Sequence, residues 1–470
     1  MEKMCGIVGM VSTQEVSKRL YLGLWSLQHR GKESAGIVTY DGITYHEQRE
    51  MGTVEVALDG QKKLSCLRGK SGIGHVRYST TGGSSIENVQ PIVGSFRGVP
   101  FWIAHNGNLV NVEEWKPSCE ELGYSFCTTT DTEVIAALIH FSQKPNFESA
   151  LVEALKKISG TYSLVILYLN TVYGVRDASG NRPLIYGCNP TKDTFMLASE
   201  TATCDVLGFK FVREICPGEI FKLGGSFLSS SVADLPQSEK KFCLFEYIYF
   251  QRPDSILMGR RIQLAREAMG RALWFEQPVD ADIVVAVPDS GNAAAKGLAK
   301  ASGLSLEDAF LRSHYIGRTF IEPIKDQREE KLRIKLNIIP EIVAGMRVVV
   351  VDDSIVRATV AKRVVQMLRE AGAAEIHFRV SSPPYQYPCY YGIDTYKVVD
   401  DLVAKRHAGD IELIRKEIGA DSLYHLSLEG VKKAVIAVGV EPLAQGDFCD
   451  ACFTGDYQIG SKFIPLITRL

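Results

Sequence analysis

The stretch RVVVVDDSIVRAT, Arg347 to Thr359, decides how the rest of the chain is read. Four consecutive valines without polar alternation make a strand buried on both faces, which points to a parallel sheet. The strand runs into paired acids, Asp352 and Asp353. Past Arg357, the residues Val360, Val364 and Leu368 recur at helical spacing until Gly372, a glycine stop signal. The acids therefore lie at the carboxyl edge of the sheet. Open α/β sheets bind ligands there, and a helix amino terminus offers free N–H groups to a phosphate. The aspartates would then face sugar hydroxyls or a metal. Their alternative use is to cap the helix, although a capped surface turn does not require a doubled carboxylate.

At 470 residues the chain exceeds one ordinary core, so two domains or more are expected. Its 55 acids and 53 bases leave a net charge of −2, which gives no long-range attraction to nucleic acid or an anionic membrane. No apolar run approaches the roughly 18 residues of a membrane helix, and the start has no signal-peptide pattern, so a cytoplasmic protein is expected. The 11 cysteines are an odd number and do not suggest a disulfide scaffold. The Ser-rich piece Leu228 to Lys241 reads as an interdomain linker.

The stretch VVVVDDSIVRATVAK, Val348 to Lys362, resembles the phosphoribosyl pyrophosphate motif of type I phosphoribosyltransferases, and its Asp-Asp-Ser-Ile-Val-Arg wording resembles the glutamine phosphoribosylpyrophosphate amidotransferase family. Two further pieces match that family: EYIYFQRPDS, Glu246 to Ser255, and PDSG, Pro288 to Gly291, after the buried strand Ile283 to Val287. Alone, PDSG is a good type I turn. The resemblance implies phosphoribosyl pyrophosphate contacts from Ser290, Asp352, Asp353, Ser354, Arg357 and Thr359, with Mg2+ at Ser290, Asp352 and Asp353. It also assigns YIGRTFIEP, Tyr315 to Pro323, and the charged run to Asn337 to a loop that closes over the ligand. Without it, that run is a solvated charged helix.

In the amino-terminal half, Cys5 opens a short strand, CGIVGMV. Most early cysteines are ordinary buried thiols. A cysteine that becomes residue one, however, gains an α-amine, pKa near 8, as its own base. Four motifs follow in order: LQHRGKESAG from Leu27, GHVRYST from Gly74, HNGNL from His105, and TDTE from Thr130. Together they resemble the class II glutamine amidotransferase domain, which implies an N-terminal-nucleophile αββα sandwich that strips ammonia from glutamine through a thioester. The resemblance makes Cys5 the nucleophile, with Asn106 and Gly107 donating to the oxyanion. Arg77 would hold the α-carboxylate of glutamine and Asp131 its α-ammonium, with Arg30 and Gly31 on the pocket wall. His29, His75 and His105 lack metal-ligand spacing. The turn Arg176 to Leu184 is assigned a structural role.

Cys243, Cys389, Cys449 and Cys452 stand apart. A lone C-x-x-C reads as zinc, redox or nothing. The contexts PCYYGID, Pro388 to Asp394, and CDACFTG, Cys449 to Gly455, resemble family members that carry a structural 4Fe-4S cluster. Cys66, Cys119, Cys127, Cys188, Cys204 and Cys216 read as inert core thiols.

The fold class expected is thus α/β and α+β: a glutaminase domain over residues 5–235, then a phosphoribosyltransferase parallel-sheet domain over 236–470 with a helical tail and the cluster ligands. The resemblance implies an enzyme that makes 5-phosphoribosylamine from glutamine and phosphoribosyl pyrophosphate, the first step of purine synthesis. It further implies purine nucleotide inhibitors and a homo-oligomer. Departures fall on one side only. The family's Arg-Gly-Thr-Thr is here Arg357-Ala358-Thr359-Val360, its Lys-Asn-Arg-Tyr is Arg312-Ser313-His314-Tyr315, and Lys325 replaces a common glutamine. Alanine fits a left-handed turn less well than glycine, and valine brings no hydroxyl to a phosphate. A glutaminase feeding another acceptor and a non-catalytic nucleotide sensor therefore stay open as rivals.

Overall fold

The computed structural model describes residues 4–58, 60–78, 83–224, 227–232, 235, 238–312, 336–393 and 395–464. The expected closing loop, with Tyr315 to Pro323 and Lys325, lies outside these residues.

The first half is built from two stacked antiparallel sheets. One has seven strands in the order Lys210–Glu214, Ile185–Cys188, Thr194–Ala198, Gly6–Ser12, Ser71–Arg77, Ser34–Tyr40, Tyr45–Met51. The other has six: Phe227–Val232, Glu219–Gly224, Thr171–Arg176, Gly160–Tyr168, Val99–Leu109, Ile92–Phe96. Strand alternation divides the residues between layers. Ile7 and Val11 face the second sheet, packing with Ala104, Val165 and Val172. Val8 and Met10 point the other way, onto Leu20 and Leu24 of the helix Ser17–Ser26. Ile103, Leu164 and Ile166 likewise meet the helices Thr132–His140 and Phe147–Lys157. The result is an αββα sandwich.

The second half carries a five-stranded sheet, all parallel, in the order Ser305–Glu307, Ile283–Ala286, Arg347–Asp352, Glu375–Val380, Ser422–His425. Val349 and Val351 enter one core and Val348 and Val350 the other, so the valine run is covered on both faces. Helices Ile262–Glu276, Asn292–Ser302 and Leu428–Ala437 lie on the first face, and Thr359–Glu370 and Ile411–Ile418 on the second. Numbered along the chain, the strand order is 2-1-3-4-5. Its switch point falls between the first and third strands, where a doubly wound sheet opens a ligand crevice. PDSG and Asp352-Asp353-Ser354 follow those two strands.

The linker expectation needs correction. Its first part, Leu228 to Val232, is paired with Glu219–Leu223 as an edge strand of the six-stranded sheet. Three consecutive serines, Ser229 to Ser231, lie along this exposed edge, a use of small polar residues that composition alone reads as a linker. Among the described residues no helix is long and apolar enough to cross a membrane.

Candidate active sites

Cys5 precedes the strand Gly6–Ser12, which pairs antiparallel with Ser71–Arg77, so the thiol lies at the strand end beside Arg77. Its Sγ contacts the Tyr78 carbonyl at 3.6 Å. Burial pushes the thiol up to about 11, against the lowering effects of the Tyr78 backbone and of Arg77. On the facing sheet, Val99–Leu109 carries Asn106 and Gly107, and the His75 ring reaches across to the His105 carbonyl at 3.1 Å. Both amide atoms of Asn106 are buried without a hydrogen-bond partner. Groups in that condition call for an explanation such as a ligand. Gly107 has φ 154°, and a Cβ there would meet the Thr161 carbonyl oxygen at 2.0 Å, so no side chain fits.

Asp131 accepts from the Leu109 N–H at 2.8 Å, and its carboxylate stands 3.7 Å from the His105 ring. Burial works against its charge, yet these partners hold the carboxyl below its usual range. Arg77 donates to Glu33 at 3.0 Å and to the Gly83 carbonyl at 3.2 Å. Gly31 packs against the main chain of Arg77, where a Cβ would lie 2.6 Å from the carbonyl. Arg30 departs from the pocket-wall expectation. It is 1% exposed, and its guanidinium is engaged by the Cys5 carbonyl at 2.9 Å, Glu200 at 2.6 Å and Glu246 at 2.7 Å. A cation so saturated supports the nucleophile's main chain and does not face free glutamine. His29 bonds Glu200 at 2.8 Å.

At the switch point, a cavity of about 340 Å³ is lined by Tyr78, Asp352, Ser354, Arg357, Ala358 and Thr359, among others. Asp352 accepts from the Asp353 N–H at 2.8 Å and from Ser290 Oγ at 3.4 Å. Asp353 accepts from Ser354 Oγ at 2.6 Å, and its second oxygen is buried without a partner. Burial and then the Asp353 charge push Asp352 well above the usual carboxylate range, and burial raises Asp353 too. The capping alternative fails: the helix begins at Thr359, its cap is Ala358, and no side chain caps it. Ala358 sits at φ 64°, the left-handed conformation expected of the family's glycine. Val360 packs against the second core, which gives its apolar side chain a place although it also lines the cavity.

Magnesium takes oxygen ligands, commonly one or two carboxylates with water and phosphate completing the shell. The Asp352–Asp353 pair, with a vacant buried oxygen, suits that chemistry. The four singled-out cysteines come from three separated segments and converge. Cys243 and Cys449 are partners in a two-stranded parallel ladder. The Gln386 and Tyr387 N–H groups bond the Cys452 carbonyl, and the Tyr391 N–H points at Cys389 Sγ at 3.3 Å. Buried Arg182 lies in the field of Cys243, Cys389 and Cys449. Among the described residues no three His, Cys, Asp or Glu side chains are drawn tightly enough to hold one metal ion. A single ion needs its ligands to meet at one point, whereas a four-iron cluster takes four thiolates spread around a larger body. Of the remaining thiols, Cys66, Cys127 and Cys216 are exposed, not core residues as the sequence suggested.

Motif reading passed over Tyr78, Glu33, Glu200 and Glu246. Tyr78, Glu33 and Glu246 lie inside the quoted motifs GHVRYST, LQHRGKESAG and EYIYFQRPDS without a role assigned to them, whereas Glu200 carried no signal.

Residues 75–205 match a family model described as a glutamine amidotransferase domain. The chain is 42% identical to the amidophosphoribosyltransferase of Methanothermobacter thermautotrophicus over 96% of this chain and 94% of that one. Against the Bacillus subtilis amidophosphoribosyltransferase the identity is again 42%, over 96% and 94%. Among solved structures, the B. subtilis glutamine phosphoribosylpyrophosphate amidotransferase complexed with ADP and GMP superposes with a TM-score of 0.89 at 40% identity, covering 97% of each chain. Another, described as the allosteric regulatory enzyme of purine biosynthesis, gives 0.90 at 41% identity, covering 97% of this chain and 96% of that one. This chain belongs to the amidophosphoribosyltransferase family.

Proposed function

We propose that the protein hydrolyses glutamine at Cys5 and passes the ammonia to carbon 1 of phosphoribosyl pyrophosphate, releasing pyrophosphate and forming 5-phosphoribosylamine. Residues 5–235 make up the glutaminase domain and 236–470 the acceptor domain. The observation that carries this reading is Tyr78. Its carbonyl touches the Cys5 thiol and the same residue lines the phosphate-loop cavity, so the two chemistries are neighbours.

Cys5 attacks the side-chain amide of glutamine. A thiol raised by burial needs a base, and the α-amine freed by removal of residues 1–4 supplies it. The Asn106 amide and the Gly107 N–H donate to the oxyanion, each worth about 3 kcal/mol in other acyl transfers. Asp131 takes the α-ammonium, and Arg77 takes the α-carboxylate by exchanging Glu33 for it. At the acceptor site, the Asp352 and Asp353 carboxylates bind the ribose hydroxyls and Mg2+ with Ser290, while Ser354, Arg357 and Thr359 bind phosphate. Bound magnesium would neutralise pyrophosphate charge. Cys243, Cys389, Cys449 and Cys452 hold a 4Fe-4S cluster as a staple between the acceptor domain and the carboxyl-terminal segment. Purine nucleotides inhibit, in keeping with the ADP and GMP held by the B. subtilis relative, and the protein works as a homo-oligomer.

The test is pyrophosphate release with glutamine and phosphoribosyl pyrophosphate together. Glutamine hydrolysis without pyrophosphate would instead mean another acceptor. Protein purified without oxygen should carry about four irons per chain. Stoichiometric zinc in place of iron would overturn the cluster assignment.

A further inference from the structure

His75 lies in the GHVRYST motif, yet the chemistry proposed above gives it no part. In the ladder it stands beside Ile7, two residues from Cys5, and strand alternation turns it with Ile73 toward the second sheet. It is fully buried. Its Nε2 meets the main-chain carbonyl of His105 at 3.1 Å. A carbonyl only accepts, so Nε2 carries the proton. Nδ1 is then a bare acceptor, buried without a partner. Burial keeps the ring neutral, its pKa pulled down to about 3, so this donor does not titrate near neutrality. A leucine would fill the space without the cost of an unpaired nitrogen, so the imidazole calls for a reason other than packing.

The reason lies in what the two sheets carry. Cys5 and Arg77 stand on the seven-stranded sheet, and Asn106 and Gly107 on the six-stranded one. The layers meet through Ile7, Val11, Ala104 and Val165, and such apolar contact sets a spacing without a direction. The strand Ile92–Phe96 pairs with Val99 to Ile103. Past that point the main chain of His105 is held by side chains, its N–H donating to Gln90 Oε1 at 2.8 Å and its carbonyl accepting from His75. The His105 carbonyl and the Asn106 N–H share one planar peptide unit. From the nucleophile's sheet, His75 therefore grips the peptide that leads into the oxyanion pair. The His105 ring extends the hold, bonding Thr132 Oγ1 at 3.1 Å and the Thr161 carbonyl at 3.3 Å. It lies against Gly107, where a Cβ would meet its Nε2 at 2.7 Å.

We propose that His75 is a positioning residue for glutamine hydrolysis, which sets, through the His105 carbonyl, where Asn106 and Gly107 stand relative to Cys5. This rests on the function proposed above. The test uses the full chain and the steady-state kinetics of glutamine hydrolysis. His75→Leu should lower kcat on the order of tenfold, between the effect of one lost hydrogen bond and that of a displacement of about 1 Å, with KM for glutamine unchanged. Asparagine and glutamine bring the same amide, but only glutamine is long enough to put an N–H where Nε2 stands. His75→Gln should therefore keep kcat within about threefold of wild type, whereas His75→Asn should lose as much as His75→Leu. Alkylation of Cys5 by iodoacetamide, read by mass on the peptide that carries it, needs the thiolate but no oxyanion donor. Its rate should stay within about twofold of wild type in all three variants. Asn106→Ala completes a double-mutant cycle. Combined with His75→Leu, its loss should fall well short of the product of the two single losses, because both act on one group. Equal kcat in His75→Gln and His75→Asn, losses that multiply, or Cys5 alkylation that slows in step with kcat would each overturn the proposal. Should His75→Leu fail to fold, the comparison of His75→Gln with His75→Asn decides the point alone. If the wild type does not hydrolyse glutamine, the proposed function falls and the positioning with it. If it does and the variants behave otherwise than expected, only the role of His75 falls.

Discussion

Asn106 is a residue the fold does not need. Its amide is buried without a partner, so it costs desolvation and returns no internal hydrogen bond. Truncation to alanine should therefore lower glutaminase kcat by roughly a hundredfold, or about 3 kcal/mol, while the melting temperature holds or rises. Steady-state kinetics beside a thermal scan checks it, and a lower melting temperature with unaltered kcat would make Asn106 structural. Ala358 presents the opposite balance. A non-glycine residue at φ 64° carries about 1 kcal/mol of conformational cost in the loop that cradles phosphate. Val360 occupies the first turn without a hydroxyl. The double change Ala358→Gly with Val360→Thr should tighten phosphoribosyl pyrophosphate about fivefold or more, since one recovered hydrogen bond is worth about 1 kcal/mol. A titration showing equal or weaker binding would mean that the loop is adapted to a different ligand.

At the scale of elements, the two halves meet through charge. Burial opposes ionisation of Glu200, but His29 and Arg30 hold its carboxyl well below the usual range. A folded pKa below the unfolded value of about 4.3 contributes stability that is fully present above that value and is lost as pH falls through the folded pKa. Glu200→Gln should thus destabilise the protein by about 3 kcal/mol near neutrality, as when one partner of a buried pair is removed. The gap between variant and wild type should narrow steadily below about pH 4. Urea unfolding across that range reads it, and a gap independent of pH would show that Glu200 acts by packing alone. The short ladder that pairs Cys243 with Cys449 joins the start of the second half to the carboxyl-terminal segment, and the Asn108 amide reaches the Tyr390 carbonyl at 2.9 Å beside it. The thiol quartet is thereby built against the strand of Asn106 and Gly107.

For the whole molecule, each site rests on a separate sheet system. Cys5→Ser should abolish glutamine-dependent pyrophosphate release. Release driven by added ammonia should stay within about twofold of wild type, because the acceptor site keeps its own sheet, switch point and carboxylates. Loss of both activities would show that the halves do not work separately.

Period and composition carried much of this protein in the sequence alone. The valine run demanded a sheet covered on both faces, four-residue spacing after Arg357 demanded a helix, and the ordered motifs around Cys5 carried the family resemblance. These are local properties, written in neighbouring residues. Other features depend on strand order and burial, which no window of sequence contains. The capping alternative for Asp352 and Asp353 stays open until the helix is seen to start at Thr359. Leu228 to Val232 has a linker's composition, yet a sheet edge accepts small polar residues. Arg30 sits inside a glutamine-site motif, but carboxylates 170 and 216 residues away claim its guanidinium. The 2-1-3-4-5 strand order, which opens the crevice at the paired acids, was likewise settled only when distant strands took their neighbours. The physical reason is common to all four: backbone pairing and the desolvation of charge are decided by what arrives from far along the chain.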